Sequence, residues 1–314
     1  MERAVSQDPI IIGTRGSDLA LWQANEAARL IPAPTEIAIV ETSGDRFQDI
    51  ALQGQLEQGF FTKEIEKKLL AGEIDIAVHS LKDLPTQIVA GLTIGAHLPR
   101  AAVSDLLVIN PRWHDQQAAV PLAAGARVGA MSLRRQALLK LYAPQSKAEM
   151  IRGNVPSRIE RCHRGDYGAV VLARAGVERL GLKLDDLMVY EFSPHYWPPA
   201  PGQGVVGIEA RADDTRVLAL LAQIDDASAR QAAELERQLL ANFEGGCHTA
   251  FGAWATPVDA GWRLLVGLES DSGWQQTEAV GAWESLATLG PASSMDFEVP
   301  RVPPQEELCR QLHW

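Results

Sequence analysis

The sequence predicts an α/β protein of two α/β lobes around a cleft, followed by a small C-terminal α+β domain with a three-stranded antiparallel sheet. Three observations carry that expectation. Apolar strand-like runs alternate with amphipathic helical stretches, the pattern of a parallel sheet covered by helices. Two proline- and glycine-marked segments, HLPRAAVSD (97–105) and YWPPAPGQG (196–204), read as two crossings between lobes. Beyond about Ala227 the alternation stops, and one helical stretch is followed by three strand-like runs.

Taken in order, IIIGTRGSDLALWQANEAARLI runs from a strand through Thr14, Arg15 and Gly16 to Ser17, a good helix cap, and then into apolar residues at helical spacing. ARVGAMSLRRQALLKLYAP repeats the plan, with Ser132 as the cap and Arg134 and Arg135 in the first helical turn. AEMIRGNVPSRIERCHRG and YGAVVLARAGVERLGL follow it again. After the second crossing, VVGIEAR reads as a strand returning to the first lobe. ASARQAAELERQLLANF is helical, and strand-like runs lie near 249–257, 261–269 and 274–282. The proline-interrupted tail carries no periodicity that assigns it. The expected domains are 1–100 completed by 200–223, 101–199 as the basic wall of the cleft, and 224–314.

With 46% hydrophobic and 22% charged residues, 314 residues suffice for several packed cores. The N-terminus lacks a basic region followed by a long apolar one, and no apolar stretch reaches membrane-span length, so a cytoplasmic protein that does not enter a membrane is expected. Three widely spaced cysteines, Cys162, Cys247 and Cys309, suit neither a disulfide framework nor a metal site. A net charge of −11 argues against general nucleic-acid binding. Within Gly125–Arg164, however, nine basic residues face two acidic ones, and a concentration of this kind usually has an anionic partner.

In sheets of parallel strands, ligands bind at the carboxyl ends, where helix N-termini present free N–H groups. Arg15, Lys82, Arg134, Arg135, Arg152 and Arg158 all fall at such ends and are expected to face one cleft. An isolated Arg-Arg pair is ordinarily a solvated helix face; beside a serine cap in a basic cluster, Arg134 and Arg135 suit carboxylate or phosphate. Asp83, in VHSLKDLPT, is by default a cap or a partner for Lys82, but a carboxylate among cations also stabilises positive charge on a substrate or passes a proton. Cys247, in the glycine-flanked EGGCHT, is a candidate nucleophile or attachment point, against the usual fate of a free cysteine as a small buried hydrophobe. PGQG (201–204) precedes a strand instead of a helix and reads as a hinge turn. His79 is expected to be a hydrogen-bonded structural residue, and Asp45 a turn residue.

TRGSDLALWQA, FFTKEIEKKLLAGEIDIAVHSLKDLPT, SLRRQALL, IRGNVPSRI, LARAGVERLGL, PAPGQGVVGIEAR and EGGCHTAFG together resemble the hydroxymethylbilane synthase (porphobilinogen deaminase) family, in order from about Ile10 to Trp254. The resemblance implies a transferase of porphyrin biosynthesis that joins four porphobilinogen molecules head to tail on a dipyrromethane primer, releases ammonia at each addition and hydrolyses off the linear tetrapyrrole. It implies a primer bound covalently through a thioether to Cys247, with no metal. It further implies that Lys82, Ser132, Arg134, Arg135, Arg158 and Asp83 hold the cofactor, that Arg15, Ser17, Arg152 and Arg158 meet substrate, and that Asp83 is catalytic. A monomer with porphobilinogen and the growing polypyrrole as partners is expected.

The family's usual GTSSLRR reads GAMSLRR here, so Ala130 and Met131 replace two hydroxyl residues, each loss costing about 0.5–1.5 kcal/mol of hydrogen bonding. Two other readings compete: a relative impaired in turnover that still binds tetrapyrrole, and a two-lobed anion-binding protein like the periplasmic solute-binding proteins.

Overall fold

The structure, a computed structural model, describes residues 8–42, 62–243, 250–291, 293, 295–312 and 314. The chain forms two units, Met1–Arg100 with Val205–Gln231, and Ala101–Gly204 with Ala232–Trp314. In the first, β1 (Ile10–Thr14) leads to α1 (Asp18–Leu30), β2 (Thr35–Ile39), α2 (Lys63–Leu70), β3 (Ile76–Ser80) and β4 (Leu92–His97). The second unit follows with β5 (Asp105–Ile109), β6 (Arg127–Gly129), α3 (Leu133–Tyr142), β7 (Lys147–Glu149), α4 (Val155–His163), β8 (Ala169–Ala173), α5 (Arg174–Arg179) and β9 (Met188–Phe192). The chain returns as β10 (Val206–Arg211) and α6 (Thr215–Leu221). It ends in α7 (Ala227–Asn242), β11 (Phe251–Val258), β12 (Gly261–Ser270), β13 (Gly273–Gly281), α8 (Trp283–Ala287), α9 (Gln305–Leu308) and β14 (Cys309–Leu312).

The first unit's sheet has the order β2-β1-β3-β10-β4. Strands β1, β2 and β3 are mutually parallel, with Ile12 opposite Ile76 and Ile37. Their runs of Ile and Val are buried because helices cover such sheets. Ile10, Ile12, Ile76, Val78, Val206 and Ile208 pack with Ala24 and Ala27 of α1 in one core. The returning strand β10 inserts between β3 and β4 and is antiparallel to both.

The second unit's sheet has the order β14-β9-β5-β8-β6-β7. Strands β7, β6 and β8 pair in parallel; β5 runs antiparallel to both β8 and β9, so β9 shares their direction, and β14 runs antiparallel to β9. The expectation of parallel sheets therefore holds for the direction of four strands in each sheet, and fails at β10 in the first and at β5 and β14 in the second, which run against the rest. Direction is set by where the chain re-enters a sheet, which local hydrophobic pattern does not record. The tail, patternless in sequence, supplies edge strand β14, whose Arg310 also pairs with Glu191 of β9 at 2.6 Å. Strands β11, β12 and β13 form a separate antiparallel meander against Leu235 and Leu239 of α7.

The two crossing segments lie side by side in the second unit: Ala101 N–H donates to Gly204 C=O at 3.1 Å. Gly204 adopts φ +88°, and a Cβ there would lie 2.5 Å from the Ala101 carbonyl oxygen, so only glycine fits. The buried Glu236 carboxylate accepts from the N–H groups of Gly202 (2.8 Å) and Ala255 (2.9 Å), tying this turn to α7 and β11.

Candidate functional site

In the first unit, strand β3 ends in a single 3₁₀ turn, Leu81–Asp83. Leu81 is fully buried and its N–H donates to Val205 C=O at 3.1 Å; Leu84 N–H closes the turn on Leu81 C=O. With Leu81 driven inward, Lys82 is left half-buried and Asp83 exposed. Among the described residues Asp83 makes no side-chain hydrogen bond or ion pair, so its expected alternatives as a cap or a partner of Lys82 are not what the turn shows. Strand β1 lies beside β3 in parallel, so Arg15 and Ser17 leave the same edge of the sheet. Ser17 caps α1, its Oγ accepting from Ala20 N–H at 3.4 Å. Gln23 of α1 donates to Ser80 Oγ at 2.8 Å, fixing the helix start against the end of β3.

His79 is buried with Nε2 3.2 Å from the Glu209 carboxylate, but neither Nε2 nor the Glu209 oxygens has a hydrogen-bond partner among the described residues. The expected hydrogen-bonded histidine is thus a buried contact without hydrogen-bond geometry. Glu66, on α2 nearby, has its carboxyl raised above the ordinary range by burial, with Glu209 adding to the effect.

In the second unit, β6 and β7 are parallel neighbours, and their exits carry the remaining candidates. Ser132 caps α3 by accepting from Arg135 N–H at 3.3 Å. Asn154 caps α4 through Ser157 N–H at 2.9 Å. Arg152 and Arg158 flank that cap and are half-buried. Arg158 Nε donates to Gly153 C=O at 2.8 Å and Nη2 to the sulfur of Met131 at 3.0 Å.

Arg134 and Arg135 are buried, at 3% and 6% exposure, and are not a solvated helix face. The carboxylate they grip belongs to the protein. Asp105, 1% exposed at the start of β5, accepts from Arg134 Nη2 (2.8 Å), Arg135 Nη2 (2.6 Å) and Nε (3.0 Å), Trp197 Nε1 (3.0 Å) and Gln203 Nε2 (2.9 Å). Arg134 also donates to Pro198 C=O and Arg135 to Val171 C=O. Burial depresses the Arg134 pKa, a pull that Asp105 opposes and the neighbouring Arg135 reinforces. Trp197, which completes the cluster, stacks on Phe192 with ring centroids 3.9 Å apart.

Sequence reasoning missed Asp105, Trp197, Gln203 and Glu236. The available signal was an aspartate directly before the all-apolar LLVI, a position where an unpaired carboxylate would be costly. The basic excess of 125–164 is also subdivided: Arg127 pairs with Glu149, and Arg164 with Asp166, at the surface.

Of the cysteines, Cys162 and Cys309 are buried, and burial pushes both thiols up to about 12. Thiols so shifted are poor nucleophiles at neutral pH. Cys247 and Asp45 lie outside the described residues. No described helix is long and apolar enough to cross a membrane.

The described residues form a mixed α/β chain with arginines at strand exits, and the comparisons with known proteins show the family to which it belongs. A family model described as porphobilinogen deaminase, dipyromethane cofactor binding domain, matches residues 10–219. The porphobilinogen deaminase of Syntrophomonas wolfei is 42% identical over 78% of this chain and 79% of its own. That of Xylella fastidiosa is 38% identical over 90% and 92%, and that of Roseiflexus sp. 43% identical over 78% and 81%. The chain belongs to the porphobilinogen deaminase family. Among solved structures, the Bordetella pertussis BvgS periplasmic VFT2 domain covers 69% of this chain, and this chain 86% of it, at 14% identity and a TM-score of 0.41.

Proposed function

We propose that this chain is a hydroxymethylbilane synthase, a transferase that joins four porphobilinogen molecules head to tail, releases ammonia at each addition and frees the linear tetrapyrrole by hydrolysis. The observation that carries the reading is the match of residues 10–219 to a family defined by its dipyrromethane cofactor. Neither the turnover-impaired relative nor the bare anion receptor has comparable support, since the catalytic-loop Asp83 is present and exposed.

The residues suit an acidic pyrrole cofactor. Arg134 Nε is buried and has no hydrogen-bond partner among the described residues, an orphan donor fit for a carboxylate. We assign Lys82, Ser132, Arg134, Arg135, Arg158 and Asp83 to the cofactor, and Arg15, Ser17, Arg152 and Arg158 to substrate. When bound, the dipyrromethane supplies the terminal pyrrole carbon to which substrate is joined. Asp83 is the catalytic group: its exposed carboxylate stabilises positive charge on porphobilinogen as ammonia leaves and moves a proton at the coupling carbon. Lys82, one residue earlier, holds carboxylate as a point charge, and the half-buried Arg15, Arg152 and Arg158 hold acetate and propionate groups by planar forks. Asp105 fixes Arg134 and Arg135 and is a positioning residue.

Cys247 is assigned as the thioether attachment point. The buried, poorly ionising settings of Cys162 and Cys309 support that choice by removing the alternatives. The functional division would be three domains, 1–100 with 200–223, 101–199, and 224–314 carrying Cys247. We place the protein in the cytoplasm as a monomer that binds neither nucleic acid nor membrane, its net charge of −11 favouring the former exclusion.

Intact-mass measurement on protein produced with porphobilinogen available tests the assignment. The wild type and the Cys162→Ser and Cys309→Ser variants should carry one dipyrromethane increment, and Cys247→Ser none. A folded wild type without the increment would refute the proposal.

A further inference from the structure

We infer that Gly207 is a positioning residue that seats the catalytic turn of Asp83 through Leu81; this deepens the proposed function and rests on it. Gly207 lies in β10, between β3 and β4, with His79 and His97 as its cross-strand neighbours. Glycine weakens the interior of a strand and often marks a close approach to its backbone. Gly207 is not among the glycines with positive φ, so conformation does not demand the residue. Contact demands it: a Cβ there would lie 2.9 Å from Leu81 Cδ1, 3.6 Å from its Cβ and 3.7 Å from its Cγ. The Leu81 side chain thus lies along the bare backbone of β10.

Leu81 is fully buried, and its N–H donates to the C=O of Val205, the residue before β10, at 3.1 Å. Its own C=O closes the turn by accepting from Leu84 N–H at 3.1 Å. Lys82 and Asp83 are carried between these two buried leucines. Because the Asp83 side chain makes no hydrogen bond or ion pair among the described residues, its place is inherited from the seat of Leu81. A methyl group on Gly207 would drive Leu81 Cδ1 from 2.9 Å back to about 3.5 Å, an ordinary carbon–carbon separation. In a close-packed interior the side chain has no void to swing into, so the displacement passes to the turn.

The test compares three variants of the full chain. Gly207→Ala adds the methyl, Gly207→Ala with Leu81→Val adds it and removes a methylene opposite, and Gly95→Ala adds a methyl elsewhere in the same sheet, against Leu218 and Leu221 of α6. Porphobilinogen turnover, intact mass and the ¹⁵N amide signals of Lys82 and Asp83 are followed in each. Gly207→Ala should keep the cofactor increment, shift both amide signals and lower kcat about tenfold or more, since a misplacement of about 1 Å can cost about a hundredfold. KM should change less than about twofold, because a group acting only in the transition state is what moves. The double variant should return the signals toward wild type and recover kcat to within about threefold, and Gly95→Ala should leave kcat within about twofold. Unshifted amides or an unchanged kcat in Gly207→Ala, no recovery in the double variant, or an equal loss in Gly95→Ala would overturn the inference, since general loosening of the sheet would then explain the glycine. Should Gly207→Ala not fold, Leu81→Val alone decides: it should shift the amides and lower kcat at constant KM, and no change in either would overturn the inference. If the wild type neither carries cofactor nor turns over porphobilinogen, the proposed function fails, and the amide signals still decide whether Gly207 seats the turn.

Discussion

Asp105→Asn removes one negative charge from a closed site at almost constant volume. Asp105 is 1% exposed, and its two oxygens accept from Arg134, Arg135, Trp197 and Gln203. Asparagine keeps one oxygen but turns an NH₂ group toward donors already aimed at the other. Whichever way the amide lies, at least two of the hydrogen bonds are lost, and two guanidinium groups share a buried site without a counter-charge. Breaking one side of a buried ion pair costs about 3–5 kcal/mol, mostly the penalty of stranding the remaining charge. Against a total stability of about 5–15 kcal/mol for a typical domain, that is a large fraction. Native-state hydrogen exchange reads it locally: the amides of α3 and β5 should lose about 3–5 kcal/mol of opening free energy. In a cycle with Arg135→Met, the double variant should cost less than the sum of the singles, because removing Arg135 relieves the stranded charge. A loss below about 1 kcal/mol in Asp105→Asn, or strict additivity in the cycle, would refute the reasoning.

Asp83→Ala should retain the covalent cofactor by mass and lose nearly all ammonia release from porphobilinogen, because Asp83 is exposed and carries none of the turn's hydrogen bonds; normal turnover would remove it from the catalytic role. Glu191 governs an acid-sensitive part of the second sheet. Burial raises its pKa, but hydrogen bonds from Ser104, Arg174 and Arg310 outweigh this and hold it below the ordinary 4.5. Its contribution is therefore full above pH 4.5 and is lost as pH falls through the lower folded-state value. The melting difference between wild type and Glu191→Gln should shrink on acidification below pH 4.5, and a difference that grows instead would contradict the sign.

Much of the site's chemistry was legible because it is local. Ser17 and Ser132 as caps, the exits at Arg15, Lys82 and Arg152, and the three-stranded meander follow from spacing and from residues a few positions apart. The seven motifs likewise carry family membership in the sequence, since they depend only on order and composition.

What tertiary structure alone decided is which charge meets which. Arg134 and Arg135 read as an anion site, and they are one, but the anion is Asp105, 29 residues before Arg134, with Gln203 reaching the same carboxylate from 98 residues away. The antiparallel insertion of β10, the edge pairing of the patternless β14 and the contact of Met131 with Arg158 have the same character. Periodicity reports which face of an element is buried, because burial is a property of each residue's own polarity. Strand direction and the partner of a buried charge depend on where distant segments come to lie, and only the folded chain fixes that.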